Sequence, residues 1–155
     1  MIDLTESRQA VDSAKRALEA MPSDPLLMRR LADATAVLGF DSGFVPEFRG
    51  NYEVLLDDAI ALYESAIQLC PDDGILLNNL GVAQSDRGFH SAAVTTLRKA
   101  TKLIPNDRNV HYNLAIALTN TDAHGREEAR SHFETASKLQ RGIETRESYF
   151  DPQGH

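Results

Sequence analysis

Cysteine, tryptophan, positive charge and long apolar runs are all in short supply in this chain. Cys70 stands alone, so no internal disulfide can staple the fold, which fits a reducing compartment. No stretch approaches the ~20 consecutive apolar residues of a membrane helix, so no membrane insertion is expected. The opening residues, MIDLTESRQAVD, lack the basic segment and apolar core of a secretory leader. Sixteen Lys and Arg against 23 Asp and Glu leave a net charge of −7. That balance argues against nucleic-acid phosphates or an anionic membrane as the partner. Runs of Val, Ile and Thr are nearly absent, which leaves little material for sheet. A cytoplasmic location is the expectation.

What is present is periodic. Ala, Leu, Glu and Arg are abundant helix formers. The segment CPDDGILLNNLG lies over LIPNDRNVHYNLA so that Pro71 meets Pro105 and Leu80-Gly81 meets Leu114-Ala115, an offset of 34 residues. A second pattern recurs four times, with Ala, a large or apolar residue and Ala at offsets of four and seven. It comprises Ala59, Tyr63, Ala66 with Pro71; Ala93, Leu97, Ala100 with Pro105; Ala129, Phe133, Ala136; and Ala10, Ala14, Ala17 with Pro22. Those offsets put the three side chains on one helix face. Alanine there lets two antiparallel helices approach closely, and the larger residue fills the gap. Proline ends the helix because it lacks an N–H and clashes with the preceding turn. The Asp and Asn residues that follow (Asp72, Asp73; Asn106, Asp107) are placed to cap the next helix. Gly39 and Gly88 stand where the first helix of a pair should stop in a left-handed residue.

Leu77, Leu80, Gly81, Ala93, Leu97, Ala100 and Pro105 together resemble the signature of the tetratricopeptide repeat family. The resemblance implies an all-α fold: a right-handed superhelical array of antiparallel helix pairs, an α-solenoid of about three repeats behind a leading lone helix. On that reading the repeat domain covers 1–141, in units of about 1–24 (partial), 25–73 (with an insertion at 39–58), 74–107 and 108–141. Residues 142–155 form a polar, mobile C-terminal tail. The spacing predicts helices over about 4–20, 25–38, 51–69, 74–87, 90–103, 108–120 and 126–140. The family usually closes its last hairpin with a further helix, which 142–155 is too broken to supply. An uncovered apolar strip at Phe133 and Leu139 would then support a weak homodimer or end-to-end contact, with Arg130 and Lys138 at its rim, unless Tyr149 and Phe150 cover it.

The resemblance also implies that the first helix of each pair lines a concave groove. Asn79 and Asn113 each precede the Leu-Gly or Leu-Ala pair and project into it. They resemble the asparagine ladder in the repeat domain of O-linked sugar transferases, where amides hold an extended peptide. An amide both donates and accepts, so it grips a main chain whatever its sequence. Recurrent asparagine could equally bond the neighbouring helix. Asn78, Val82, Asp86, Asn109, Tyr112 and Ile116 surround the pair, and Arg29, Arg30 and Asp33 hold the matching positions of the leading unit. Sitting on the surface side, Asn79 and Asn113 should cost less than about 1 kcal/mol of stability when both become Ala. The carboxylate clamp of co-chaperones with this fold is a poor match. Asp33, Asn109 and Asn113 stand where that clamp needs asparagine, lysine and arginine.

Four of the ten aromatic residues, Phe40, Phe44, Phe48 and Tyr52, crowd into the insertion. They either fold back over the leading hairpin or form a partner hook or lid. Catalysis has little support. The five histidines show neither i, i+4 ligand spacing nor a nearby cysteine pair, and GxGxxG, P-loop and GxSxG motifs are absent. His111 replaces a core-facing residue and reads as a packed side chain. No cofactor, no metal and no enzymatic activity are expected. The sequence therefore points to a non-catalytic protein–protein interaction module, an adaptor or scaffold, that binds an extended peptide or helix of a partner. The alternatives are a secretion-type chaperone for apolar segments and a self-assembling scaffold.

Overall fold

A computed structural model describes residues 3–45, 47–121 and 125–148. Among them the chain is all-helical: α1 (Thr5–Ala20), α2 (Pro25–Gly43), α3 (Tyr52–Leu69), α4 (Gly74–Asp86), α5 (His90–Leu103), α6 (Arg108–Thr119) and α7 (Arg126–Ser137), with a 3₁₀ turn at Arg49–Asn51. These helices form two compact units, residues 1–71 and 72–155.

Three helix starts share one device. Asp24 accepts from the N–H groups of Leu26 and Leu27 at 2.8 and 3.1 Å. Asp73 accepts from Ile75 and Leu76 at 2.9 and 3.0 Å, and Asp107 from Asn109 at 2.8 Å. Each carboxylate satisfies donors that a first helical turn leaves open, and does so at the positive end of the dipole. Pro25 follows its cap at the first helical position, where a missing N–H costs nothing.

In the first unit α2 and α3 form a hairpin and α1 packs on α2. The small residues Ala32, Ala36, Ala59 and Ala66 are fully buried, with Tyr63 and Leu56 filling the space between them. Ser7 donates to Asp41 at 2.8 Å, tying α1 to the end of α2. Gly39 does not end its helix. The expectation of a stop there is corrected, because α2 continues to Gly43 and Gly39 has no positive φ. Its role is clearance: a Cβ at Gly39 would lie 3.1 Å from the Cβ of Leu55 and 3.5 Å from Leu56. The insertion therefore divides. Residues 39–43 lengthen α2, and Tyr52 onward starts α3.

In the second unit α4 pairs with α5, α5 with α6 and α6 with α7. Ala93, Val94, Leu97, Leu114, Ala115, Ala117, Leu118 and Ala129 form its core, and Phe133 packs against it. Gly88 has φ +91° and turns the chain between α4 and α5, as its position in the sequence suggests. α7 stops at Ser137, three residues short of the expected end. The N–H groups of Lys138 and Leu139 turn back to the carbonyls of Thr135 and Ala136, closing the helix with tighter bonds. Beyond them Gln140 offers its carbonyl to the Arg108 N–H at 3.1 Å.

Candidate functional site

The amide-bearing faces of α4 and α6 meet in the second unit, and they are not open. Asn78, Asn79 and Asn113 are 0% exposed and Asn109 is 1% exposed. The chain's own residues 144–148 lie across them. Asn79 donates to the Glu144 carbonyl at 3.2 Å and accepts from the Arg146 N–H at 2.8 Å. Asn109 donates to the Thr145 carbonyl at 3.0 Å. Asn78 and Asn113 both donate to the Arg146 carbonyl, at 3.0 and 2.8 Å, and Asn113 accepts from the Ser148 N–H at 2.7 Å. The amides also bond one another: Asn78 donates to Asn79 at 3.0 Å, and Asn113 donates to Asn78 at 2.8 Å. Four adjacent asparagines thus supply donors and acceptors to one short stretch of main chain.

The side chains of that stretch are seated too. The Thr145 hydroxyl donates to Asp107 at 2.9 Å and accepts from Asn109 at 3.0 Å. Asp107 therefore caps α6 with one carboxylate oxygen and holds the segment with the other. Arg146 faces Asp86 at 3.9 Å, and both side chains are largely buried. Burial pushes the Asp86 carboxyl up to about 6, and the Arg146 charge opposes that rise. Glu147 pairs with Arg108 at 3.2 Å and with Arg141. Gly142 is wedged against Asp107 and Thr145, where a Cβ would collide with both. The tail expected to be mobile is thus bonded into the site over 144–148. Its hold is polar and long-range, which hydrophobic periodicity does not report.

The rest of the expected groove divides between the two units. Val82 and Ile116 are buried beside the amides in sequence, at 0% and 2% exposure. Tyr112 is half-buried, with Arg108 4.9 Å above its ring and Phe133 edge-on at 5.8 Å. That contact also half-covers the strip expected at Phe133, while Tyr149 and Phe150 lie outside the described residues. Arg29, Arg30 and Asp33 belong to the first unit. There Arg29 is buried, Arg30 is exposed, and Asp33 accepts from the Tyr63 hydroxyl at 2.5 Å. In the insertion Phe40 and Phe44 meet edge-on at 5.0 Å, Arg8 lies 4.7 Å over Phe48, and Tyr52 packs on Gly43. Phe44 stays 50% exposed.

Sequence reasoning missed a histidine pair. The Nδ1 atoms of His111 and His132 are 2.9 Å apart, and the Nε2 of His111 is 2.8 Å from the Pro105 carbonyl. A carbonyl only accepts, so Nε2 of His111 carries a proton, and in the neutral ring its Nδ1 accepts from His132. Burial and the neighbouring His111 hold the His132 pKa below its ordinary value. His132 immediately precedes Phe133, the large residue of the repeat pattern, which was the one available signal. Among the described residues no group of three or more His, Cys, Asp or Glu could hold a metal ion. No described helix is long and apolar enough to cross a membrane.

With this geometry in hand, comparison with solved structures identifies the fold. It is the fold of MamA. A structure of MamA from strain MSR-1 superposes with a TM-score of 0.65 at 20% identity, over 87% of this chain and 68% of that one. MamA from AMB-1 gives 0.63 at 22% identity, over 84% and 66%. MamA from Desulfovibrio magneticus RS-1 gives 0.50 at 16% identity, over 87% and 86%. This chain therefore spans about two thirds of the first two MamA chains. No family model and no curated protein sequence matches.

Proposed function

We propose that this protein is a non-catalytic interaction module whose amide-lined face on α4 and α6 holds an extended segment of another protein. The observation that carries the reading is the set of six hydrogen bonds between Asn78, Asn79, Asn109 and Asn113 and the main chain of 144–148, four donated by the amides and two accepted. Those side chains pair the carbonyls of Glu144, Thr145 and Arg146 and the N–H groups of Arg146 and Ser148, which supports a site for main chain. The fold shared with MamA is consistent with a helical-repeat adaptor. A chaperone for apolar segments has less support. The seat is lined by amides and charged groups, and Ile143, the large aliphatic residue just before the held segment, is fully exposed at 102%.

The test is capture of partner proteins from a native lysate by the full chain and by Asn79→Ala/Asn113→Ala, followed by peptide mapping of what is bound. The variant should lose at least tenfold in affinity for the mapped segment, about 1.4 kcal/mol. Unchanged affinity in a variant that keeps its helical circular dichroism would show that the amides are structural only.

A further inference from the structure

Residues 141–148 are more than generic backbone in the seat, because three successive side chains each meet a matched group. Thr145 is read twice, as donor to Asp107 and acceptor from Asn109, both through its one hydroxyl oxygen. Arg146 places its guanidinium toward the buried carboxyl of Asp86. Glu147 sits beside Arg108. At the same time the segment offers no large apolar anchor, since Ile143 lies in solvent. Its hold is made of polar contacts that any segment with the same groups could replace one for one.

We propose that residues 141–148 are a resident stand-in, and that the seat's external ligand is a partner protein's extended segment of the order hydroxyl residue, arginine, carboxylate. This rests on the groove reading above and adds the partner's chemistry and an intrinsic competitor. Access to the seat requires the resident segment to leave, so binding and release of 141–148 are mutually exclusive. Gly142 provides a way to shift that balance while leaving every residue of the seat unchanged, Asp107 being the one seat group its new methyl would meet. A methyl at this position collides with Asp107 and Thr145 and pushes the segment outward.

The probe is a fluorescent peptide with the sequence of 141–148, RGIETRES, titrated into the full chain and into Gly142→Ala. The Gly142→Ala protein should bind it at least tenfold more tightly than the parent. Peptides carrying Thr145→Val or Arg146→Ala should bind that protein at least tenfold more weakly than the native peptide. In the unaltered chain, excess native peptide should accelerate amide hydrogen exchange at Arg146 and Ser148. Equal binding of a scrambled peptide would overturn the assigned chemistry while leaving a sequence-blind amide seat standing. An opened seat, shown by fast exchange at Ser148, that binds neither peptide would overturn both readings. Should Gly142→Ala lose its helical signal, the exchange experiment on the unaltered chain decides, and no acceleration overturns the proposal. A doubled mass that Arg146→Ala abolishes would give the seat to a second copy of this chain instead of a partner.

Discussion

Asn113 shows how much one amide can be asked to do: it donates to the Arg146 carbonyl and to Asn78 and accepts from the Ser148 N–H, with no exposed surface. The sequence-based expectation that such a residue is dispensable for folding gives way here. Removing it leaves the buried Ser148 N–H without its partner, worth about 1–3 kcal/mol, while the Arg146 carbonyl keeps its bond from Asn78. Asn113→Ala should therefore lower stability by about 1–3 kcal/mol in urea unfolding and speed amide exchange at Arg146 and Ser148. No loss of stability would mean that water replaces the amide without penalty. His132 makes a second prediction. Its pKa is lowered in the folded chain by burial and by His111, whereas in the unfolded chain it titrates near 6.5. As pH falls below that value the unfolded chain takes up the proton first, so the folded state loses stability. His90, lowered by burial, acts in the same direction. Asp86 acts in the opposite one: raised to about 6, it favours the folded state more as pH falls from there toward 3.8. His132→Gln should consequently flatten the loss of stability between about pH 6.5 and pH 5, measured by urea midpoints. A curve parallel to the parent's would remove His132 from the account.

The helices show which parts of a fold can be read in one sequence. Asp73 and Asp107 announce two helix starts because a cap is a local device, complete within three residues, and Asp24 proves to be a third of the same kind. Gly88 was legible for the same reason. Its left-handed φ with open space around it predicts that Gly88→Ala costs about 1–2 kcal/mol without disturbing the core. Gly39 misled, because a glycine that permits close approach and one that ends a helix look identical until the neighbouring helix is placed. Gly81 is the clearer example of close approach, since a Cβ there would lie 2.5 Å from the Cγ of fully buried Leu97. Gly81→Ala should cost about 1–3 kcal/mol by overpacking α4 on α5. A melting temperature within a degree or two of the parent would show that Leu97 yields freely. The asparagines of the site were legible by their register beside Leu80 and Leu114. Their occupant was not, because Glu144 and Arg146 reach Asn79 across more than sixty residues with no apolar rhythm to mark them. The His111–His132 pair was hidden likewise, by separation on neighbouring helices.

At the scale of the whole chain, the second unit holds a core of its own, the amide seat and the segment that fills it. A fragment of residues 72–155 should therefore fold cooperatively and keep slow exchange at Arg146 and Ser148. A fragment without helical circular dichroism would show that the first unit is needed for the second to fold. The position of the occupant has a kinetic and thermodynamic consequence. Only Lys138, Leu139 and Gln140 separate the end of α7 from Arg141, and Gln140 is already bonded to Arg108. So short a tether holds the segment at an effective local concentration on the order of millimolar. A free peptide of equal intrinsic affinity would have to reach that concentration to fill half of the seats. A partner working at ordinary cellular levels must gain its advantage elsewhere, through a second contact or by being anchored nearby. The tether thus acts as a threshold, passing only partners that arrive with more than one point of attachment.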